Sequence, residues 1–402
     1  MKIQVVTHRY VPLVGGSVKV SAQVIRHLQE HGHEVHVLTH RTQSNLPHEE
    51  WIDDVYVRRL SPAGISRWIN IILVFRIIVY LVRHAHQYDL IQAYIIGPTG
   101  LAALIGGIIT RKPVVIRVST YGELERLNMR GSGNDWYKLL VRYILLPPFL
   151  WRTILRQASG IIALSQQIVE ESQRVGLADK TVYIPNGIDP KRFYPSTVEQ
   201  KQTIRQALHL PIDKFIIFCT SRLVARKRLD VLIKALPLIQ KRIPSAYVVI
   251  AGGAQLQRDS VLPQLKALMK ALNVEGNVLF LGEVSDVAEY LRAADIFAFP
   301  SEHEGMPNAV LEAMATRLPI VASEIGGITD LLDHESAWLL PVGDVEALAE
   351  AIVYAAENPL EAEQRAQKAY DRVLSEFTIE HTAEKYLQLY IKILQQQKDN
   401  TK

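Results

Sequence analysis

The stretch KIQVVTHRYVPLVGGSVKVSAQVIRHLQEHGHEVHVLT, Lys2–Thr39, reads as a strand (Lys2–His8), a glycine loop (Val14, Gly15, Gly16), a helix (Ser17–Glu30), a Gly-His turn and a second strand (Glu34–Thr39). Short apolar runs flank a segment with helical spacing, and turn residues stop each element. This is one βαβ unit, and such units in series build a parallel sheet. The chain is therefore expected to be α/β.

The pattern continues outward. Strand-like runs follow at Asp89–Tyr94, Lys112–Val118 and Gly160–Leu164, each after a helix-like run, and Val182–Pro185 ends the series. The segment Pro185-Asn186-Gly187-Ile188-Asp189-Pro190 stops regular structure and suits a hinge. After it the pattern restarts with strands at Phe215–Ser221, Ala246–Ala251, Asn277–Gly282, Ile296–Pro300 and Pro319–Ser323. Helices fall between them, from Leu229, around Leu262–Leu272 and at Asp286–Ala293. A chain of 402 residues is also long for one core, since cores rarely grow past roughly 250–300 residues. Two doubly wound domains are expected, residues 1–186 and 187–378, facing across a cleft. Ligands of such sheets bind beyond the carboxyl ends of the strands, so function belongs in the strand-to-helix loops.

Composition narrows the class. Apolar residues make up 48% and charged residues 21%, which excludes a disordered or collagen-like chain. A single cysteine, Cys219, excludes an intrachain disulfide framework and a thiol-based metal site, and fits a reducing cytoplasm. The first residues enter a strand without an export-signal pattern. The most apolar segment, Trp68–Val82, contains Arg76 and falls short of the ~20 residues that span a bilayer. It is expected to be a buried helix, with a helix dipping into a membrane surface as the alternative. The polar tail Gln395–Lys402 is expected to fray. Net charge is +4 and unevenly placed, with 21 Lys+Arg against 13 Asp+Glu in residues 1–186. A basic first half favours an anionic membrane or an acidic acceptor. No nucleic-acid partner is expected.

Three loops carry chemistry. Gly15 and Gly16 stand before a helix, where close backbone approach and free N–H groups suit a phosphate. They do not form GxGxxG, so the standard dinucleotide fingerprint is missing. Ser221–Arg228, SRLVARKR, sets four cations after a strand, a ready site for a diphosphate. The third, SEHEGMPNAVLEAMA (Ser301–Ala315), carries Glu304 and Glu312 on either side of a Gly-Met-Pro turn. Pro307 is expected at the first helical position, with Glu304 in the loop and Glu312 about one and a half turns into the helix. The two acids then bracket one concave site, with the amides of Gly305, Met306 and Asn308 between them. A further pair, Gly326 and Gly327, repeats the pattern of glycines before a helix.

Together these loops closely resemble the group 1 family of retaining glycosyltransferases of the GT-B fold. The resemblance runs over nearly the whole chain, in order: the glycine loop, GHEVHVLT, IPNGID, SRLVARK and the E-x7-E pattern of Glu304 to Glu312. It implies that Arg222 and Lys227 hold the diphosphate of a nucleotide sugar, with Gly16 approaching from the other domain. It further implies that Glu312 binds the ribose hydroxyls, that Glu304 with Gly305, Met306 and Pro307 faces the donor sugar, and that Leu281–Val284 lies along the base. A last helix, roughly Ile379–Leu394, would return to the first domain. No metal and no cofactor are then needed, because cations supply the charge. Whether Glu304 is a nucleophile or an electrostatic partner stays open. One departure stands out: where many members have His-Gly, this chain has Tyr121-Gly122 after Ser119 and Thr120. That puts the sugar contact made by the histidine in doubt. Glu123 and Glu125, in the same loop, are candidates for acceptor hydroxyls. The implied function is transfer of a sugar to a hydroxyl of a glycan, a lipid-linked glycan or a small molecule by a cytoplasmic enzyme, with peripheral contact at the inner face of a membrane as the alternative to a free one. A nucleotide-sugar epimerase and a non-catalytic nucleotide-sugar-binding subunit are the alternatives.

Overall fold

The computed structural model describes residues 1–12, 16–64, 66–125, 148–253 and 260–399. The chain divides into two compact units, Met1–Gly187 with Ile379–Lys402, and Ile188–Thr378. The division after Gly187 falls one residue from the crossing expected at residue 186.

Unit 1 holds strands β1 (Lys2–Val6), β2 (Glu34–His40), β3 (Glu49–Ile52), β4 (Val55–Leu60), β5 (Leu90–Ala93), β6 (Val114–Val118), β7 (Gly160–Ala163) and β8 (Thr181–Tyr183). Their order in the sheet is β3-β4-β2-β1-β5-β6-β7-β8, and every pairing except β3 with β4 is parallel. β5, β6 and β7 are buried at every position, as expected where helices cover both faces of a sheet. The helix Ile379–Asp399 belongs to this unit. It packs on the helix Gly16–Glu30, and it is tied in by Tyr390 Oη donating to Gln92 Oε1 at 2.7 Å and Thr382 Oγ1 donating to Pro185 O at 3.1 Å. It runs through Asp399, past the expected fraying point, because buried Leu389, Tyr390 and Ile393 anchor its last turns.

Unit 2 holds β9 (Phe215–Thr220), β10 (Ala246–Ala251), β11 (Val278–Gly282), β12 (Ile296–Phe299), β13 (Ile320–Ser323) and β14 (Trp338–Leu340). The order is β11-β10-β9-β12-β13-β14, all parallel. The chain winds from β9 outward to β11, then returns to the other side of β9 with β12. The switch point therefore lies between the carboxyl ends of β9 and β12, where doubly wound sheets bind ligands. Helices Leu229–Gln240 and Val345–Glu357 pack together over a core that includes Ile217, Cys219, Leu232 and Ile352.

Two expectations change. The hairpin β3-β4 and the short β14 add to the sheets. EEWI and VYVRRL are too polar to read as core strands; β3 is the sheet edge, and β4 beside it buries only alternate positions. The helix Arg67–Arg83 is buried on one face only. Leu73, Ile77 and Leu81 are covered, and the helix packs on Pro98–Thr110. Trp68, Ile71, Ile72 and Phe75, at spacings of three and four, stay exposed, with Trp68 77% and Phe75 67% accessible. The uniformly apolar sequence hid this division because hydrophobicity there does not alternate between faces.

Candidate active site

The loops after β9 and β12 meet at the switch point of unit 2. After β9 the chain makes a single 3-10 turn, Ala225–Lys227, and Arg228 takes a left-handed conformation with φ 48° before the next helix. After β12, Glu302 N donates to Arg226 O at 2.9 Å, which stitches the two loops together main chain to main chain. Across this seam the Lys227 ammonium donates to Glu304 Oε1, and both side chains are only 11% exposed. Ser301 Oγ donates to the same oxygen at 2.7 Å, and Lys227 Nζ lies 5.3 Å above the Phe299 ring.

A buried ion pair of this kind is costly to desolvate and holds only where geometry and extra hydrogen bonds compensate. Burial pushes the Lys227 pKa below the usual lysine range, against the pull of Glu304 and with a push from Arg226 and Arg222. Lys227 is thus a compact cation in a weakly screened place. Arg228 is tied to Asp230 and Glu302 at 3.3 and 3.4 Å. The four cations read as one cluster in the sequence are therefore divided: Lys227 faces the acid, Arg228 braces the loop, Arg226 lends its carbonyl to the seam, and Arg222 stands exposed where its charge reaches Lys227.

Beyond Glu304 the loop buries Gly305, Met306 and Pro307. The helix that follows is Asn308–Ala315, with Pro307 as its N-cap at φ −79°, ψ 109°. Proline therefore stands one position earlier than expected. The missing N–H still costs nothing there, and Pro307 O accepts from Val310 N at 3.0 Å. Glu312 is the fifth residue of this helix and is partly exposed. Val284 follows β11 and is half-buried. Gly326 and Gly327 lie inside a short helix, Gly326–Thr329, rather than before it.

In unit 1, Gly16 opens the helix Gly16–Glu30 after β1, whereas Gly15 lies outside the described residues. The loop after β6 is folded around two carboxylates. Glu123 turns back onto its own loop, where Oε2 accepts from Ser119 N at 3.1 Å. Glu171, wholly buried on the helix Gln166–Arg174, accepts from Gly122 N at 2.8 Å and Glu125 N at 2.7 Å. Burial raises the pKa of both acids above the usual carboxylate range. Arg174 pairs with Glu125 at 2.8 Å and covers the Tyr121 ring at 5.8 Å. Thr120 O accepts from Glu123 N at 3.3 Å, which closes the turn. Glu171 carries no signal in the sequence, since its partners lie more than forty residues away, and Ser301 carries none because its loop alone brings it onto Glu304.

A doubly wound sheet with a cation and an acid paired at its switch point, in a chain with a second such sheet, defines a two-unit Rossmann-like α/β protein with a candidate ligand site in unit 2. The family model "Glycosyl transferases group 1" matches residues 200–372, and "Glycosyltransferase Family 4" matches residues 14–192. The chain belongs to the group 1 glycosyltransferases and is an enzyme of that class. A UDP-Gal:alpha-D-GlcNAc-diphosphoundecaprenol alpha-1,3-galactosyltransferase of Escherichia coli is 25% identical, over 97% of each chain. A putative teichuronic acid biosynthesis glycosyltransferase of Bacillus subtilis (strain 168) is 29% identical, over 72% of this chain and 67% of its own length. Sucrose-phosphate synthase from Thermosynechococcus elongatus has the same fold, with TM-score 0.79, 24% identity and 98% of each chain covered.

Proposed function

We propose that this enzyme transfers a sugar, with retention, from a nucleoside diphosphate donor held in unit 2. The observation that carries the reading is the buried Lys227–Glu304 pair at the switch point, with the charge of Arg222 beside it. A donor diphosphate takes up the cations Arg222 and Lys227. Glu304, released from Lys227 but still held by Ser301, then faces the donor sugar together with Gly305, Met306 and Pro307. The start of the helix at Asn308 adds its dipole, Glu312 binds the ribose hydroxyls, and Val284 lies along the base.

The chemistry follows from charge. As the glycosyl bond breaks, the anomeric carbon becomes cationic and negative charge grows on the departing diphosphate, so fixed cations lower the barrier. The acceptor is a hydroxyl of a glycan, a lipid-linked glycan or a small molecule. The names of the relatives, one for a GlcNAc-diphosphoundecaprenol acceptor and one for teichuronic acid biosynthesis, support the first two. On unit 1, the loop Ser119–Glu123 offers Ser119, Thr120 and Tyr121 to that acceptor. The exposed face of Trp68, Ile71, Ile72 and Phe75 lies on a helix with arginines and no acid, which supports contact with the anionic cytoplasmic face of a membrane.

The reading is tested by the pair Arg222→Ala and Lys227→Ala. The double variant is expected to lose most transfer from a nucleotide sugar while staying folded, with a lowered melting temperature because Glu304 is left buried without its cation. Normal turnover in a folded double variant would remove the diphosphate role.

A further inference from the structure

Each of the two loops at the switch point of unit 2 is abutted by a glycine from the next loop outward. Gly327 follows β13, the neighbour of β12, and Gly252 follows β10, the neighbour of β9. A Cβ at Gly327 would stand 2.5 Å from Gly305 O, 2.9 Å from Gly305 C and 3.0 Å from Glu304 O. At Gly252 it would stand 1.7 Å from Ser221 O and 2.8 Å from Ser221 C. These are main-chain atoms, which do not swing aside as a long side chain does. Neither glycine has a positive φ, so the backbone itself would admit any residue. What each position requires is space.

We propose that Gly327 is a positioning residue for Glu304, and Gly252 a positioning residue for Arg222. The inference rests on the donor-site reading above. An added methyl at Gly327 must drive the Glu304–Gly305 backbone back by at least about half an ångström, the tolerance within which a catalytic group stays productive. That moves Glu304 relative to Ser301 and Lys227, which hold its carboxylate, and the three atoms nearest the methyl all belong to Glu304 and Gly305 rather than to the loop after β9. An added methyl at Gly252 acts on the other loop, displacing Ser221 and with it Arg222. The two glycines thus separate the acid side of the site from the cation side.

The experiment compares Gly327→Ala, Gly252→Ala and a control, Gly276→Ala, which adds a methyl to open space in the same unit. Nucleoside diphosphate affinity is measured by calorimetry with UDP, GDP and ADP, and turnover with the matching sugar nucleotides. Gly327→Ala is expected to lower kcat by roughly 10- to 100-fold while nucleoside diphosphate affinity stays within about twofold. Gly252→Ala is expected to weaken nucleoside diphosphate binding by about tenfold. The control is expected to match the parent in both. Crystal structures of the variants supply a second readout, with Glu304–Gly305 displaced in Gly327→Ala and Ser221–Arg222 displaced in Gly252→Ala. Parent-like turnover with an unmoved Glu304 loop would overturn the inference. So would loss of binding, turnover and melting temperature together in Gly327→Ala, which marks a general packing role. If the parent binds no nucleoside diphosphate and turns over no sugar nucleotide, the donor reading fails, and displacement of the two loops in the crystal structures decides the positioning claim alone.

Discussion

Lys227 is the residue on which the site turns, and its environment fixes the sign of a pH effect. Its folded-state pKa lies below the usual lysine value because burial outweighs the attraction of Glu304. The ammonium is therefore lost at lower pH than in an exposed lysine, and diphosphate stabilisation is lost with it. The basic limb of the pH profile of kcat/KM is expected below the ordinary lysine value of 10.5, and Lys227→Arg, which keeps its charge, should remove that limb while lowering the rate. An unchanged limb in Lys227→Arg would assign it to another group. Glu312 carries a simpler expectation. As a partly exposed helix residue it contributes little to folding, but hydrogen bonds from ribose to a carboxylate are worth about 1.5–3 kcal/mol, so Glu312→Ala should weaken donor binding roughly 10- to 100-fold in calorimetry. On the proposed role of Arg222 and Lys227 at the diphosphate, turnover is expected to survive chelation by EDTA; a loss restored by a divalent cation would contradict that.

At the scale of elements, the loop after β6 and the helix Arg67–Arg83 make separate demands. Glu171 satisfies two main-chain donors in the Tyr121–Glu125 turn, one buried and one partly buried. Its removal leaves both unpaired, at a cost of about 1–3 kcal/mol for each such group, so Glu171→Ala should lower the denaturation midpoint and expose the turn to hydrogen exchange. Parent-like exchange at Gly122 and Glu125 would show that the carboxylate is dispensable. The exposed face of Arg67–Arg83 should bind vesicles containing anionic lipid and release them at high salt, where the arginines are screened, and Phe75→Glu should weaken that binding without loss of fold. Failure to sediment with anionic vesicles at low salt would make the face an ordinary exposed patch. No helix among the described residues is long and apolar enough to cross a membrane.

On the scale of the whole molecule, what was legible in the sequence was what repeats or what charge makes conspicuous. The strand and helix periods of Lys2–Thr39 recur along the chain and give both sheets their parallel cores. Cations after β9 and acids after β12 show themselves by residue type alone. The missed parts depend on partners: β3 and β14 gain strand geometry only by pairing with β4 and β13, Ser301 matters because Glu304 lies against it, and Gly327 matters because the Glu304–Gly305 backbone runs past it. The central claim, that the switch point of unit 2 holds a nucleotide-sugar diphosphate, is tested most directly by nucleoside diphosphate release. The purified enzyme is incubated with a panel of UDP-, GDP- and ADP-sugars, with and without lipid-linked acceptor. One donor is expected to be consumed, with release abolished in the Arg222→Ala, Lys227→Ala variant; a folded enzyme that neither binds nor consumes any of them would contradict the claim.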